Sequence, residues 1–423
     1  MDLNLRPVNN HLFLRDIDLH SIGAEYGSPA FLYDLRHVQD QISIVKGSLK
    51  DAIDLYYCVK ANPNLELLKG IMPLVDGMDI SSGGELREVL RTGSNPSQIS
   101  FAGPGKTDEE LSLAISKNVG SISVESLNEL KRIERIAKEL GKTADVSMRI
   151  NPAKVNRKFP IKMGGKASQL GIDQEKCQDF FGLLQSTQRC NFIGIHVFSG
   201  TQCLSEEIII ENAQNILQLA RLVFKATGIP LKKVNLGGGF GIPYFRSQKE
   251  IDVKYVCASL VEQFNQFRQE TGLFDCTGII ELGRFIVAQA GIYIARVVDI
   301  KESRGKHFCV LDGGMNHHLA ASGKFGQLMR ENFKMVNLSN TDESKKMEVA
   351  VVGPLCAAFD LLGLAVELVE PQIGDYIAIL NSGAYVYTGS PLLFLSHDLP
   401  AELLIDGGEV KIARRSFKPE MFY

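Results

Sequence analysis

No apolar run in this 423-residue chain approaches the roughly 20 residues that cross a bilayer. No basic-then-apolar leader opens it either, since the first residues read Met1-Asp-Leu-Asn-Leu-Arg6. A cytoplasmic protein is the expectation. An excess of one charge sign is also missing: the net charge is -3, which gives no reason to expect nucleic acid or an anionic membrane as partner. Low-complexity segments are absent. The eight cysteines are Cys58, Cys177, Cys190, Cys203, Cys257, Cys276, Cys309 and Cys356, and no two form a Cys-x-x-Cys pair. That excludes the usual signatures of a disulfide framework or a zinc site and points to mostly buried free thiols in a reducing compartment. What remains is a composition ordinary for a globular protein, 45% hydrophobic and 22% charged, on a chain long enough for two domains.

Residues 35–281 alternate between strand-like and helix-like stretches. The strand candidates are Asp54–Lys60, Gly77–Ile80, Gln98–Phe101, Ser121–Val124, Asp145–Ile150, Phe192–His196, Lys233–Leu236 and Gly278–Glu281. Between them, Leu127–Leu140 and Ala213–Ala226 place apolar residues at helical spacing. Eight strands with intervening helices suit a (β/α)8 barrel; an open doubly wound sheet shares the alternation. After Glu281 the texture changes to short β-rich runs at Tyr293–Ile300, Phe308–Leu311, Met347–Val352, Tyr376–Leu380 and Glu409–Ala413. Turn signals such as Asp312-Gly-Gly and Gly407-Gly408 separate them, so 282–423 reads as a mostly antiparallel domain. Residues 1–34 end in Ser28-Pro-Ala-Phe-Leu-Tyr33, a strand candidate expected to join that second domain, because a closed barrel has no free edge. The expected fold is α/β: a TIM-like (β/α)8 barrel plus a mostly antiparallel β domain.

Polar and glycine-rich positions collect where these strands end. The first candidate, Leu55-Tyr-Tyr-Cys-Val-Lys60, ends a buried run in a lysine. Alone, such a lysine is most simply a charge reaching solvent; a lysine of lowered pKa or one bound to a carbonyl cofactor is the sharper reading. Asp79 and Glu85 flank the second strand end, Gly103-Pro-Gly-Lys106 follows the third, and Glu125 meets the fourth. Arg149 lies near the end of the fifth and His196 ends the sixth, followed by Ser199. Gly237, Gly238 and Gly239 follow the seventh, while Glu281 ends the eighth with Arg284 three residues on. Barrel enzymes keep their sites at this C-terminal mouth. A glycine run there lets backbone N–H groups close around a phosphate. Glu281 at a core strand end is costly unless paired, and a protonated pyridine nitrogen would suit it. In the second domain His317 and His318 invite a metal reading, but adjacent strand residues face opposite ways, so no metal site is expected there. Cys356 and Tyr385 are most simply a buried thiol and a packing aromatic.

As a set, these motifs resemble those of the pyridoxal-phosphate-dependent decarboxylases of the alanine-racemase-like fold (fold type III), which include diaminopimelate, ornithine and arginine decarboxylases. The matching stretches are Tyr57-Cys-Val-Lys60-Ala-Asn62, Asp79-Ile-Ser-Ser-Gly-Gly-Glu85, His196-Val-Phe-Ser199-Gly, Gly237-Gly-Gly-Phe-Gly241, Glu281-Leu-Gly-Arg284, Asp312-Gly-Gly-Met315, Gly353-Pro-Leu-Cys356 and Gly383-Ala-Tyr385. The resemblance implies pyridoxal 5'-phosphate as cofactor, held covalently by Lys60. It implies Glu281 opposite the pyridine nitrogen and His196 stacked on the ring. Ser199, Gly237, Gly238, Gly239, Arg284 and Tyr385 would lie around the phosphate, with Asp79, Glu85 and Arg149 around the ring and lysine. Cys356 would come from a second subunit, implying a homodimer with shared sites, and would return a proton to Cα. Glutamate at position 281, where racemases of this fold use arginine, favours decarboxylation.

The sequence departs from the diaminopimelate pattern where that family grips the far end of its substrate. Cys356-Ala-Ala358 stands for Cys-Glu-Ser, and Asn316-His-His-Leu-Ala-Ala321 stands where an Arg-Pro is expected. A milder change puts Leu282 where the family has proline. Ala357 is not the acidic residue that ornithine-type enzymes use, although Asp360 is close in sequence. A zwitterionic far end would go unpaired. Gly103-Pro-Gly-Lys-Thr-Asp-Glu-Glu110 looks like a stretch of the staphyloferrin B-pathway decarboxylase. Lys162-Met-Gly-Gly165, His196-Val-Phe-Ser-Gly-Thr-Gln202 and His317-His-Leu-Ala-Ala-Ser322 look like the butirosin-pathway enzyme, which acts on a glutamyl group tethered to an acyl carrier protein. The expected activity is decarboxylation of an α-amino acid conjugated at its far end, carrier-tethered or acylated, with Lys324 and Arg330 either contacts to a carrier or ordinary solvated charges. A free diamino acid decarboxylase and a non-catalytic cofactor-binding regulator are the alternatives.

Overall fold

A computed structural model describes residues 3–156, 159–323 and 331–422. The chain divides into two compact units. One comprises Asp40–Ile242 and Glu250–Phe285; the other comprises Met1–Gln39, Pro243–Lys249 and Ile286–Tyr423.

The first unit is a closed parallel barrel. Its strands are Ile53–Cys58, Gly77–Ile80, Ile99–Phe101, Ser121–Val124, Ala144–Asn151, Cys190–His196, Lys233–Gly238 and Thr277–Leu282. Each pairs in parallel with its sequence neighbour, and Thr277–Leu282 returns to Ile53–Cys58, which closes the ring. A ninth, two-residue strand, Ile172–Asp173, extends Ala144–Asn151 on the outside of that circuit. The barrel strands are buried almost throughout, as strands covered on both faces must be. The first expected strand was too long at its end: it stops at Cys58, and Lys60 lies in the following 3-10 turn, Val59–Ala61. That turn carries the lysine off the sheet before Asn62 and Pro63 redirect the chain.

Helices between the strands follow ordinary local rules. Ser126 caps Leu127–Glu139 through the Glu129 N–H, and Leu130, Ile133, Ile136 and Ala137 form its buried face. Thr107 and Glu110 form a reciprocal capping box on Asp108–Ser116. Glu206–Thr227 ends at Gly228, whose φ of 66° suits the left-handed cap.

The second unit is built on a mixed sheet. Ala30–Asp34 lies between Gly291–Ser303, to which it is antiparallel, and Ala401–Asp406, to which it is parallel. The sheet continues through Lys306–Leu311, Lys346–Val352 and Leu361–Val369 at one end and Glu409–Arg414 at the other. Tyr376–Ile379 pairs with Gly291–Ser303 and with Met335–Asn337. Leu32, Ile292, Ile294, Ala378 and Leu403 sit in its apolar core with Leu14, Leu19 and Ile22 from the N-terminal segment. That segment adds its own three-stranded sheet, Leu5–Val8, His11–Leu14 and Ile17–Asp18, followed by the helix Leu19–Tyr26. No disulfide forms: all eight cysteines are free, five of them buried, and Cys356 is exposed. Among the described residues no helix is long and apolar enough to cross a membrane.

Candidate active site

In the barrel unit the expected residues converge. Lys60 Nζ lies 3.1 Å from Asp79 Oδ2, with the lysine side chain 36% exposed and the aspartate fully buried. Lys60 also stands over the Phe198 ring at 5.6 Å. Donor atoms of Cys58, Asp79 and Glu281 lie within 4.8 Å of one another, so two carboxylates and a thiol share one buried corner. His196 Nε2 is 3.4 Å from Glu281 Oε2, and its Nδ1 bonds to Ser123 Oγ at 2.9 Å. The environments push the two carboxylates apart. Burial, reinforced by the charge of Glu281, raises Asp79 above the ordinary carboxylate value. Burial would raise Glu281 as well, but His196, Lys60 and the Asn235 amide outweigh it and hold it at about 2. Glu281 is therefore the fixed anion of the site.

Glu85 caps its own turn by accepting from Ser81 N–H at 2.6 Å, and burial raises its carboxyl. Arg149 donates to Glu125 at 2.7 Å, and Glu125 also accepts from the main chain of Gly103 and Gly171. Ser199 is buried, its carbonyl accepting from Met163 N–H at 2.9 Å. The three glycines have a structural duty that their sequence did not reveal. A Cβ on Gly237, Gly238 or Gly239 would stand 2.5, 1.9 or 2.1 Å from the carbonyl oxygens of Val197, Glu281 and Gly200. Gly237 and Gly239 also have φ of 68° and 81°, where glycine is favoured. Only backbone without side chains lets this turn approach its neighbours.

Asn235 was invisible as a site residue, because it sits inside an apolar strand run. Its amide donates to Glu281 Oε1 at 2.5 Å while its carbonyl oxygen accepts from Gly237 N–H at 2.9 Å. One side chain thus joins the anion to the glycine turn. A polar residue two places before a glycine run was the available signal.

Arg284, also in the barrel unit, opens the short helix Arg284–Val287, whereas Tyr385 and Cys356 belong to the other unit. Tyr385 has a φ of 61°, an uncommon value for a bulky residue, at the end of the loop Asn381–Tyr385. His318 Nε2 holds that loop through Ser382 Oγ at 2.9 Å. His317 and His318 lie in a turn and not in a strand, so the face argument made from sequence does not apply to them. Burial pushes them down to about 4 and about 3, which leaves both neutral near pH 7. Cys356 is exposed, correcting the buried-thiol reading, on the turn that follows Lys346–Val352. Asp360 anchors that turn: its oxygens accept from Met315 N–H at 2.7 Å and Leu355 N–H at 2.8 Å. Lys324 and Arg330 lie outside the described residues.

A family model described as "Pyridoxal-dependent decarboxylase, pyridoxal binding domain" matches residues 35–288. The chain belongs to that family. It is 36% identical over 405 residues to the L-glutamyl–acyl-carrier-protein decarboxylase of Niallia circulans, covering 95% of this chain and 94% of that protein. It is 30% identical over 379 residues to the 2-((L-alanin-3-ylcarbamoyl)methyl)-2-hydroxybutanedioate decarboxylase of Staphylococcus aureus, covering 88% and 92%. Among solved structures, a diaminopimelate decarboxylase from M. jannaschii superposes with a TM-score of 0.90 at 26% identity, covering 98% of this chain and 95% of that one.

This pyridoxal-dependent decarboxylase uses pyridoxal phosphate, and its barrel fits that group. Among the described residues the buried Asp79 Oδ1 has no hydrogen-bond partner, and the buried His196 Nε2 has none beyond its long 3.4 Å approach to Glu281. Buried polar atoms of that kind are rare in a folded protein and call for a ligand. An anion at Glu281 would suit a protonated ring nitrogen, and a lysine amine such as that of Lys60 is a group able to react with an aldehyde.

Proposed function

We propose that the protein decarboxylates an α-amino acid whose far end is conjugated, as in a carrier-protein-tethered or acylated substrate. One observation carries this reading. The positions that would grip a charged far end are engaged elsewhere: both Asp360 oxygens accept main-chain N–H bonds, and His317 and His318 are buried and neutral. A conjugated far end has no charge to pair, whereas a free diamino acid would leave its distal ammonium unsatisfied. The similarity to two decarboxylases with extended substrates supports the same reading.

The following roles fit that reading. When bound, pyridoxal phosphate supplies the electron sink that accepts the electron pair left behind as CO2 departs. Lys60 would hold the cofactor through Nζ, with Asp79 beside it to carry charge or a proton. Glu281 keeps a positive charge on the ring nitrogen, and Asn235 and His196 keep Glu281 ionised and aimed. Arg149 and Glu85 shape the polar wall of the mouth. Ser199, Gly237, Gly238, Gly239 and Arg284 bind the phosphate. Cys356 of the partner subunit holds the proton that is delivered to Cα, which makes the enzyme a homodimer. The exposure of Cys356, Phe359 and Leu364 on one chain is what a surface covered by a second copy would show.

The test is CO2 release by the cofactor-loaded protein from a glutamyl–carrier conjugate, free glutamate, lysine, ornithine and diaminopimelate. Turnover of the conjugate in preference to every free amino acid is expected. Rapid release from a free diamino acid with none from the conjugate would sink the conjugated-substrate reading. Cofactor binding without release from any of them would mark a regulator.

A further inference from the structure

The decarboxylase reading makes no use of the segment Leu5–Tyr26, yet two of the chain's eight histidines meet there. His11 opens the second strand of the N-terminal sheet, Asp18 ends the third, and His20 lies in the first turn of the helix that follows. One donor atom from each lies within 4.8 Å of the other two. His11 Nδ1 is 2.9 Å from Asp18 Oδ2, and the two imidazoles stack with centroids 4.3 Å apart. The side chains of His11 and Asp18 are 34% and 25% exposed, so an ion from solvent can reach them.

The surrounding backbone is fixed. Asp18 Oδ1 caps the helix through His20 N–H at 2.9 Å, and Ser21 Oγ donates to Asp18 O at 2.7 Å. Leu12 N–H is tied to Leu338 O at 3.3 Å, and Tyr376 packs edge-on against His20 at 5.3 Å. Asp375 adds negative potential at His20. Three donors thus arrive from formed elements and not from a loose tail.

We propose that His11, Asp18 and His20 form a three-ligand site for a borderline divalent transition-metal ion, Zn2+ foremost, with water as fourth ligand. Two imidazoles and one carboxylate suit such ions and not Mg2+ or Ca2+, which take oxygen donors. Zn–N bonds of 2.0–2.1 Å place tetrahedral donors roughly 3.4 Å apart. The donors, within 4.8 Å of one another, need only a modest shift toward that spacing, and His χ2 is a soft torsion about which the rings can turn out of their stack.

The experiment titrates cofactor-loaded, chelator-stripped protein with Zn2+ by calorimetry. One ion per chain is expected. His11→Gln and His20→Gln should each weaken it at least tenfold without changing decarboxylation. Asp18→Asn, which preserves the helix cap, should weaken it as well. In the unaltered protein, Zn2+ should protect His11 and His20 from diethyl pyrocarbonate, read by peptide mass. No stoichiometric binding, affinity unmoved by these variants (as binding at Cys58, Asp79 and Glu281 would give), or equal modification with and without Zn2+ would overturn the proposal.

Discussion

Glu281 and Asn235 decide the electrostatics of the barrel mouth. Replacing Glu281 by Gln removes the anion but keeps the shape. We expect kcat to fall by about 10²–10³, the scale of losing one fixed electrostatic partner of a reacting group, with cofactor still bound; steady-state kinetics and cofactor absorbance would show it. Asn235→Ala leaves Glu281 Oε1 and Gly237 N–H without the amide they share. The expected cost is about 1–3 kcal/mol in stability, together with weaker cofactor retention, measured by thermal melts and dialysis. The sequence pointed to Glu281 because a glutamate ending a core strand is conspicuous. It hid Asn235 because a short polar residue inside Val-Asn-Leu does not disturb the strand pattern. Asp360 was misleading for a related reason. It lies near Cys356 along the chain, where ornithine-type enzymes place an acidic residue, but its oxygens are occupied by Met315 and Leu355 N–H groups.

At the scale of elements, the glycine turn and the histidine turn each carry a prediction. Gly238→Ala would drive a Cβ to 1.9 Å from the Glu281 carbonyl oxygen, a backbone atom with little room to yield. Loss of cofactor binding, or of soluble folded protein, is expected; circular dichroism with a cofactor titration distinguishes the two. His317 and His318 have folded-state values of about 4 and about 3 against 6.5 when unfolded. Below pH 6.5 the unfolded chain therefore takes up protons that the folded chain refuses, and stability falls as pH falls. Near pH 5 the two histidines together contribute a slope of roughly 2.5 kcal/mol per pH unit. Urea midpoints at pH 7, 6 and 5 would reveal it, and His318→Asn should remove about half. The eight barrel strands were legible because buried parallel strands read as continuous apolar runs. Ala401–Asp406 and Leu361–Val369 were not, since acidic residues interrupt both, and the buried Glu402 is bonded to Tyr33 and Arg414.

For the whole molecule, the proposed shared site predicts complementation. Lys60→Ala and Cys356→Ala chains are each expected to be nearly inactive, whereas random co-assembly of the two should recover about a quarter of wild-type activity. Recovery of nothing, with mixed dimers confirmed by mass, would show that the lysine and the cysteine serve the same chain. The strand Ala30–Asp34 has a different consequence. It is central to its sheet, yet one neighbour is Ala401–Asp406, nearly the full chain away. During synthesis at roughly 5–20 residues per second, that early strand waits on the order of 20–70 s for its partner to be made. Until Gly291–Ser303 is made, Phe31 and Leu32, fully buried in the finished protein, have no neighbouring strand, and one side stays open until Ala401–Asp406 follows. The growing chain is thus an early client for chaperones, and its expression should respond more to translation speed and holdase supply than its final stability would suggest.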